Sequence, residues 1–232
     1  EFRRFNGPTV PLARLERRVF SSRDVLRAEI EVAHFGAAPM TQAHAYWKLA
    51  DSEGRVHAGG ELPERTLPVG NGTSLGCVEI PLADLPAPRH FRLIVGFAGT
   101  MFANDWDVWV YPPEGAVRTS DDVLIVRDWK ELLLHARGGR KILFNPPARQ
   151  VKGGVALGFS SIFWNTAWTK NQAPHTLGVL CDPGHPLFAR FPTDRHSDWQ
   201  WWELIHGGAA LVLDGLSPEL HPLVRVIDDW FT

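Results

Sequence analysis

The hydrophobic pattern of this chain changes period at Tyr111-Pro112-Pro113, and no single fold class satisfies both halves. Upstream of the two prolines the period is two. Leu26, Ala28, Ile30 and Val32 alternate with Arg27, Glu29 and Glu31, which places the two sets on opposite faces of a half-buried antiparallel strand. Ala45, Trp47 and Leu49 repeat the period, Asp51-Ser52-Glu53-Gly54 is a turn signal, and Arg55 to Gly59 returns as the hairpin partner. Asn71-Gly72 punctuates before Leu75 to Leu82, after which Phe91, Leu93, Val95 and Phe97, and then Trp106, Val108 and Val110, alternate again. About six short strands separated by turns, with no helical period, specify an immunoglobulin-like β-sandwich.

Downstream the grammar is that of an α/β domain. Val123 to Val126 is a continuous apolar run, Asp128 can cap a helix, and Trp129, Leu132, Leu133 and Ala136 fall at helical spacing. Gly138-Gly139 supplies a stop, and Lys141 to Phe144 is a second apolar strand. Strand, helix, glycine stop and strand within about 25 residues is the βαβ signature of a parallel sheet covered on both faces. Further elements are expected at Val155 to Phe159 (strand), Pro186 to Arg190 (helical turn), Trp199 to Ile205 (helix) and Ala209 to Leu213 (strand), with a long loop from Ser160 to Pro183.

Length agrees with this division, since 232 residues exceed a single sandwich. The expected modules are residues 1–112, a sandwich, and 113–232, an α/β domain. The 24 Lys and Arg against 26 Asp and Glu give no electrostatic reason to expect nucleic acid or an anionic membrane as partner. No apolar run is long enough to span a bilayer. The chain opens on Glu1 and closes just after Asp228-Asp229-Trp230 without a glycine or proline stop, the expectation for a segment of a longer protein whose last sheet elements lie further on. Cys77 and Cys181 fall in different modules and read as free buried thiols.

The residues offer few chemical constellations. Gly153, Gly154 and Gly158 match neither a dinucleotide fingerprint nor a phosphate loop, so no nucleotide cofactor is expected. Cys181, at the end of an apolar run, can be read as a nucleophile with His175, His185 or His196 as base, or as a structural thiol. Asp194, His196 and Asp198 alternate with His185 upstream, a donor set for a divalent metal, yet the spacing matches no zinc pattern, and Asp198 equally suits the N-cap of a helix at Trp199. No metal site is expected. Asp105 and Asp107 share a strand face, where an acidic, solvated strand end explains them as well as a carboxylate pair does.

Ten tryptophans are the compositional oddity, and they cluster. Trp164, Asn165 and Trp168 lie in the long loop; Trp199, Trp201 and Trp202 lie together, with His196 close in sequence. Indole faces suit the apolar face of a pyranose, so these residues form a candidate carbohydrate platform. Helical spacing, however, puts Trp199 and Trp202 on one face and sends Trp201 elsewhere, as core packing requires.

Several strings also carry a resemblance: G-P-T-V-P-L-A-R-L, E-I-E-V-A-H-F-G, A-G-T-M-F-A-N-D-W-D-V-W-V-Y-P, and G-F-S-S-I-F-W-N-T-A-W with L-C-D-P-G-H-P-L-F-A-R-F-P-T-D-R-H-S-D-W-Q-W-W-E-L-I. Together they resemble the region that follows the catalytic barrel in bacterial β-galactosidase-like enzymes of glycoside hydrolase family 2. The resemblance implies an immunoglobulin-like sandwich and then a flavodoxin-like module similar to class I glutamine amidotransferases. It also implies an upstream catalytic barrel as partner, a glycan ligand, a homo-oligomer, and a periplasmic or extracellular parent. Retaining hydrolysis in that family uses two glutamates on the barrel, the acid/base within an Asn-Glu pair. No Asn-Glu dipeptide occurs here, and Cys181 lacks a glycine-flanked nucleophile context, so no catalytic residue is carried over. The expectation is an accessory region without catalysis. A carbohydrate-binding module and a residual Cys-dependent amidase or hydrolase are the alternatives.

Overall fold

The computed structural model describes residues 2–113, 122–151, 155–158, 176–215 and 217–228. The chain divides into two compact units, Glu1–Ala116 and Val117–Thr232.

The first unit opens with a helical turn, α1 (Phe2–Phe5), and continues through β1 (Thr9–Leu15), β2 (Val19–Ser21), β3 (Val25–His34), β4 (Met40–Ala43), β5 (Ala45–Asp51), β6 (Val56–Glu61), β7 (Arg65–Leu67), β8 (Gly70–Pro81), β9 (Arg89–Phe97) and β10 (Ala103–Tyr111). One sheet has the order β1-β3-β8, the other β2-β10-β9-β5-β6, and β4 pairs with β7. Pairing is antiparallel except between β2 and β10, which run parallel. Two sheets of this strand order form a β-sandwich of immunoglobulin type.

Its core is the alternation made solid. Leu26, Ala28, Ile30 and Val32 of β3 are buried with Val78 and Ile80 of β8 against Leu49 of β5, Phe91, Leu93, Val95 and Phe97 of β9, and Val108 and Val110 of β10. Burying each large side chain contributes about 1.5–3 kcal/mol. The Asp51–Gly54 turn closes the β5–β6 hairpin with Gly54 at a φ of 82°, a conformation that costs glycine nothing.

Two expectations are corrected in this unit. Asn71-Gly72 lies inside β8, where positive φ at Gly70, Gly72 and Gly76 accompanies register shifts against β3 and lets the strand run on as an irregular ladder. Cys77 is a free thiol but exposed, because it partners Glu29 on the outward face of the β3–β8 pair.

The second unit begins with β11 (Val123–Val126), α2 (Trp129–Ala136) and β12 (Lys141–Phe144). β11 and β12 pair in parallel across the helix, the βαβ unit that the sequence specifies. The Asp128 carboxylate accepts from the N–H groups of Lys130 (2.8 Å) and Glu131 (3.3 Å), and Gly139 follows the helix at a φ of 68°. Then come β13 (Val155–Ala156), β14 (Thr176–Cys181), 3-10 turns at Pro186–Phe188 and Trp199–Trp201, α3 (Trp202–Ile205), β15 (Ala209–Ala210) and β16 (Val224–Asp228).

The flavodoxin-like expectation finds no support in these elements. β13 pairs with β15 and β14 with β16, both antiparallel, whereas a doubly wound sheet is mostly parallel. Nor, among the described residues, are both sheet faces covered. α2 buries none of its residues; Trp129 meets Phe144 edge-on, while Leu133 and Leu134 are exposed, as are Ile125 and Leu143 on neighbouring strands. The strand expected at Ala209 to Leu213 ends at Ala210, and the described end of the loop expected from Ser160 to Pro183 contains β14 from Thr176 to Cys181. The helix expected from Trp199 to Ile205 is a 3-10 turn continued by α3, because the Asp198 cap tightens its first turn.

Candidate functional site

The tryptophan-rich stretch of the second unit is held by side chains that leave its backbone few alternatives. Val179 donates its N–H to Ser197 Oγ at 3.0 Å and its carbonyl accepts from Ser197 N–H at 2.9 Å, so the strand β14 and the approach to the 3-10 turn are stitched together. Asp198 Oδ1 accepts from Gln200 N–H at 3.1 Å and caps the turn. The buried Gln200 amide donates to the Pro192 carbonyl at 2.7 Å and to Asp198 Oδ2 at 3.3 Å, tying the preceding loop to the same turn. A buried amide with its hydrogens satisfied locks a conformation; left unsatisfied it would cost about 1–3 kcal/mol.

This frame sorts the three tryptophans by helical phase. Trp201 is 5% exposed and packs edge-on against Phe191 at 4.9 Å and against Phe188 at 6.0 Å, with its indole N–H donating to Thr193 Oγ1 at 2.8 Å. It belongs to the core with Val179, Phe188 and Ile205 and presents no ring face to a ligand, which corrects its place in the candidate platform. Trp199 and Trp202, three positions apart, share the outer face at 63% and 40% exposure. Trp202 stacks on His206 with ring centres 4.6 Å apart. Together with Ser197 and Asp198 they line a shallow recess of about 360 Å³. Apolar rings stand beside polar groups there, and the volume falls within the range of small-ligand pockets.

The remaining members of the expected platform are elsewhere. His196 forms an isolated β-bridge with Leu180 and lines a different recess, so the fold separates it from the Trp199–Trp202 pair. Trp164, Asn165 and Trp168 lie outside the described residues.

The alternative chemistries fare differently. Among the described residues no group of three or more His, Cys, Asp or Glu side chains gathers at metal-binding distance, and the Asp198 carboxylate serves as a cap. Burial pushes the Cys181 thiol above its ordinary value, and the carboxylates of Asp198, Asp182 and Asp194 push it further, although Thr193 opposes them. Its Sγ donates to the Asp194 carbonyl at 3.3 Å. A nucleophilic cysteine needs the opposite environment, one that favours the thiolate. Asp105 and Asp107 do share the outward face of β10, but each is neutralised: Arg4 meets Asp105 at 2.5 Å, and His90 Nε2 meets Asp107 at 2.8 Å and holds its carboxyl below the usual range.

Sequence reasoning passed over Arg195 and Arg225. Arg225 on β16 and Arg195 on the segment bridged to β14 line one recess, and nothing local in the sequence announces that arrangement.

Residues 24–112 match the family model described as Domain of unknown function (DUF8488), and residues 124–232 match Domain of unknown function (DUF8487). A comparison with curated proteins finds no match. Among solved structures, the chain is similar to the CARDB domain of the PF1109 protein of Pyrococcus furiosus at 10% identity, over 45% of this chain and 94% of that one, with a TM-score of 0.35. It is similar to a β-glucuronidase from glycoside hydrolase family 2 at 13% identity, over 43% of this chain and 11% of that one, at 0.33. A β-glucosidase from Listeria innocua in complex with glucose is similar at 13% identity, over 45% and 16%, at 0.32. The chain thus corresponds to a small part of either glycosidase, and at these scores no functional conclusion follows from the likeness. No helix among the described residues is long and apolar enough to cross a membrane.

Proposed function

We propose that this chain is a non-catalytic accessory region of a β-galactosidase-like glycoside hydrolase, and that its second unit contributes a glycan-facing surface. The observation that carries the reading is the outward pair Trp199 and Trp202, set on a turn that Asp198, Gln200 and Ser197 hold rigid. Two large rings, partly exposed on a hydrogen-bonded turn, offer apolar surface to a flat apolar partner. A pyranose supplies such a face, with hydroxyls at its edge for the carboxylate and hydroxyl of Asp198 and Ser197. The motif strings that resemble the region following a family 2 barrel support the parent class, an upstream catalytic barrel as partner and an exported parent. Catalysis is assigned to that barrel.

Affinity electrophoresis of the whole chain through gels containing soluble galactan tests the reading. Retardation of the wild type, lost in a Trp199→Ala/Trp202→Ala variant, is the expected result; equal mobility with and without galactan overturns it. The pure chain should not turn over an aryl β-galactoside, and measurable hydrolysis by it would contradict the non-catalytic assignment.

A further inference from the structure

The second unit carries another recess, of about 480 Å³, whose chemistry is unlike that of the tryptophan pair. It is lined by Leu180, Cys181, Asp182, His185, Arg195, His196, Pro222, Leu223 and Arg225, of which the four basic residues carry its chemistry. Strand register explains how they meet. Leu180 on β14 is directly opposite Arg225 on β16 and, on its other side, bridges to His196, so Arg225, Leu180 and His196 form one row across three adjacent segments. Directly opposed residues project from the same face. That face points outward here, since Val179 and its partner Val226 belong to the core on the other. Arg195, one position before His196, opposes Cys181 rather than Leu180, its carbonyl accepting the Cys181 N–H at 2.9 Å, and it joins the lining at the end of β14.

The lining is rich in donors. Two guanidinium groups are permanent cations with no acceptor capacity. His185 Nδ1 accepts the Leu187 N–H at 3.1 Å, which leaves the ring proton on Nε2, so that edge also donates. Among the described residues neither Arg195 nor Arg225 has a carboxylate within ion-pairing distance. The lining carboxylate, Asp182, already accepts the Gly184 N–H at 3.0 Å through Oδ1. Two cations lining one recess, with further donors beside them, suit an anion with several acceptor oxygens.

We infer that this recess binds an oxyanion, the carboxylate, sulfate or phosphate of a ligand, with Arg195 and Arg225 as the charge-bearing contacts and His185 Nε2 as an additional donor. The inference does not depend on the glycan reading of Trp199 and Trp202.

Isothermal titration of the whole chain with sodium sulfate, sodium phosphate and sodium galacturonate, each against sodium chloride at matched ionic strength and against neutral galactose, tests it. Saturable binding of at least one oxyanion is expected, weakened on the order of tenfold or more in an Arg195→Gln/Arg225→Gln variant and unchanged in Trp199→Ala. Preference for galacturonate identifies a carboxylated sugar as the source, and preference for sulfate or phosphate identifies a tetrahedral anion. Binding no stronger than that of chloride overturns the inference, as does wild-type affinity in the double variant. Should that variant unfold, a single Arg225→Glu reversal, checked by circular dichroism, must abolish binding.

Discussion

The indole N–H of Trp201 donates to Thr193 Oγ1 at 2.8 Å from within the core of the second unit, while Trp199 and Trp202 on either side of it face solvent. Three aromatic residues within four positions therefore have two separate duties, and substitution separates them. Trp201→Ala empties a packed site and removes the N–H that Thr193 Oγ1 accepts, and the second unit should lose about 3–5 kcal/mol. Trp199→Ala, at a residue 63% exposed, should cost the unit less than Trp201→Ala. Urea unfolding followed by far-ultraviolet circular dichroism distinguishes the two.

Acid sensitivity of the first unit should trace to Asp51. This buried carboxylate receives His57 Nε2 at 2.9 Å, Arg89 Nη2 at 3.0 Å and the backbone N–H groups of Glu53 and Arg55, and these partners, His57 foremost, hold its pKa at about 2 against the penalty of burial. The folded value lies below the unfolded one of about 3.9. Its contribution is thus complete above pH of about 4 and disappears as pH falls towards 2. The melting temperature of the first unit should fall through that window, and Asp51→Asn should flatten the dependence while lowering stability at neutral pH.

Gly36 occupies a place where no side chain fits. A Cβ there would stand 2.7 Å from Cε1 of His34. The ring cannot move aside, because Nδ1 is hydrogen-bonded to Thr9 Oγ1 at 2.7 Å and Nε2 donates to the Ala38 carbonyl at 2.9 Å, in a buried setting. Gly36→Ala should cost about 1–3 kcal/mol, read from the midpoint of chemical denaturation.

The two thiols should differ in reactivity. Cys77 is exposed, whereas the Cys181 thiol is partly buried, pushed up by desolvation and by three carboxylates. Iodoacetamide at neutral pH should label Cys77 first in the folded chain, with Cys181 reacting at a comparable rate only after denaturation. Rapid labelling of folded Cys181 would reopen the reading of it as a nucleophile.

The sandwich was legible where a single strand carries its own pattern. Leu26 to Val32 alternate without interruption, and each inward residue is in the core. β8 was less legible because Gly70, Gly72 and Gly76 break the alternation with bulges whose partners lie on β3, forty residues earlier in the chain. In the second unit the βαβ start was readable from a cap, a glycine stop and two apolar runs, all local signals. The antiparallel pairing of β14 with β16 was not, since Leu180 meets Arg225 across 44 intervening positions and neither strand has a turn linking it to the other. The placement of these side chains was partly legible: helical spacing separates Trp201 from Trp199 and Trp202, whereas the place of His196 follows from a bridge to Leu180 that only the folded chain displays.

The central claim is that Trp199 and Trp202 receive a glycan, and the direct measurement is their fluorescence during titration with galactose-containing oligosaccharides. The account predicts a saturable quench or shift in the wild type that disappears in Trp199→Ala/Trp202→Ala and persists in Arg195→Gln/Arg225→Gln. A flat titration to millimolar ligand, or an unchanged response in the tryptophan variant, would contradict it.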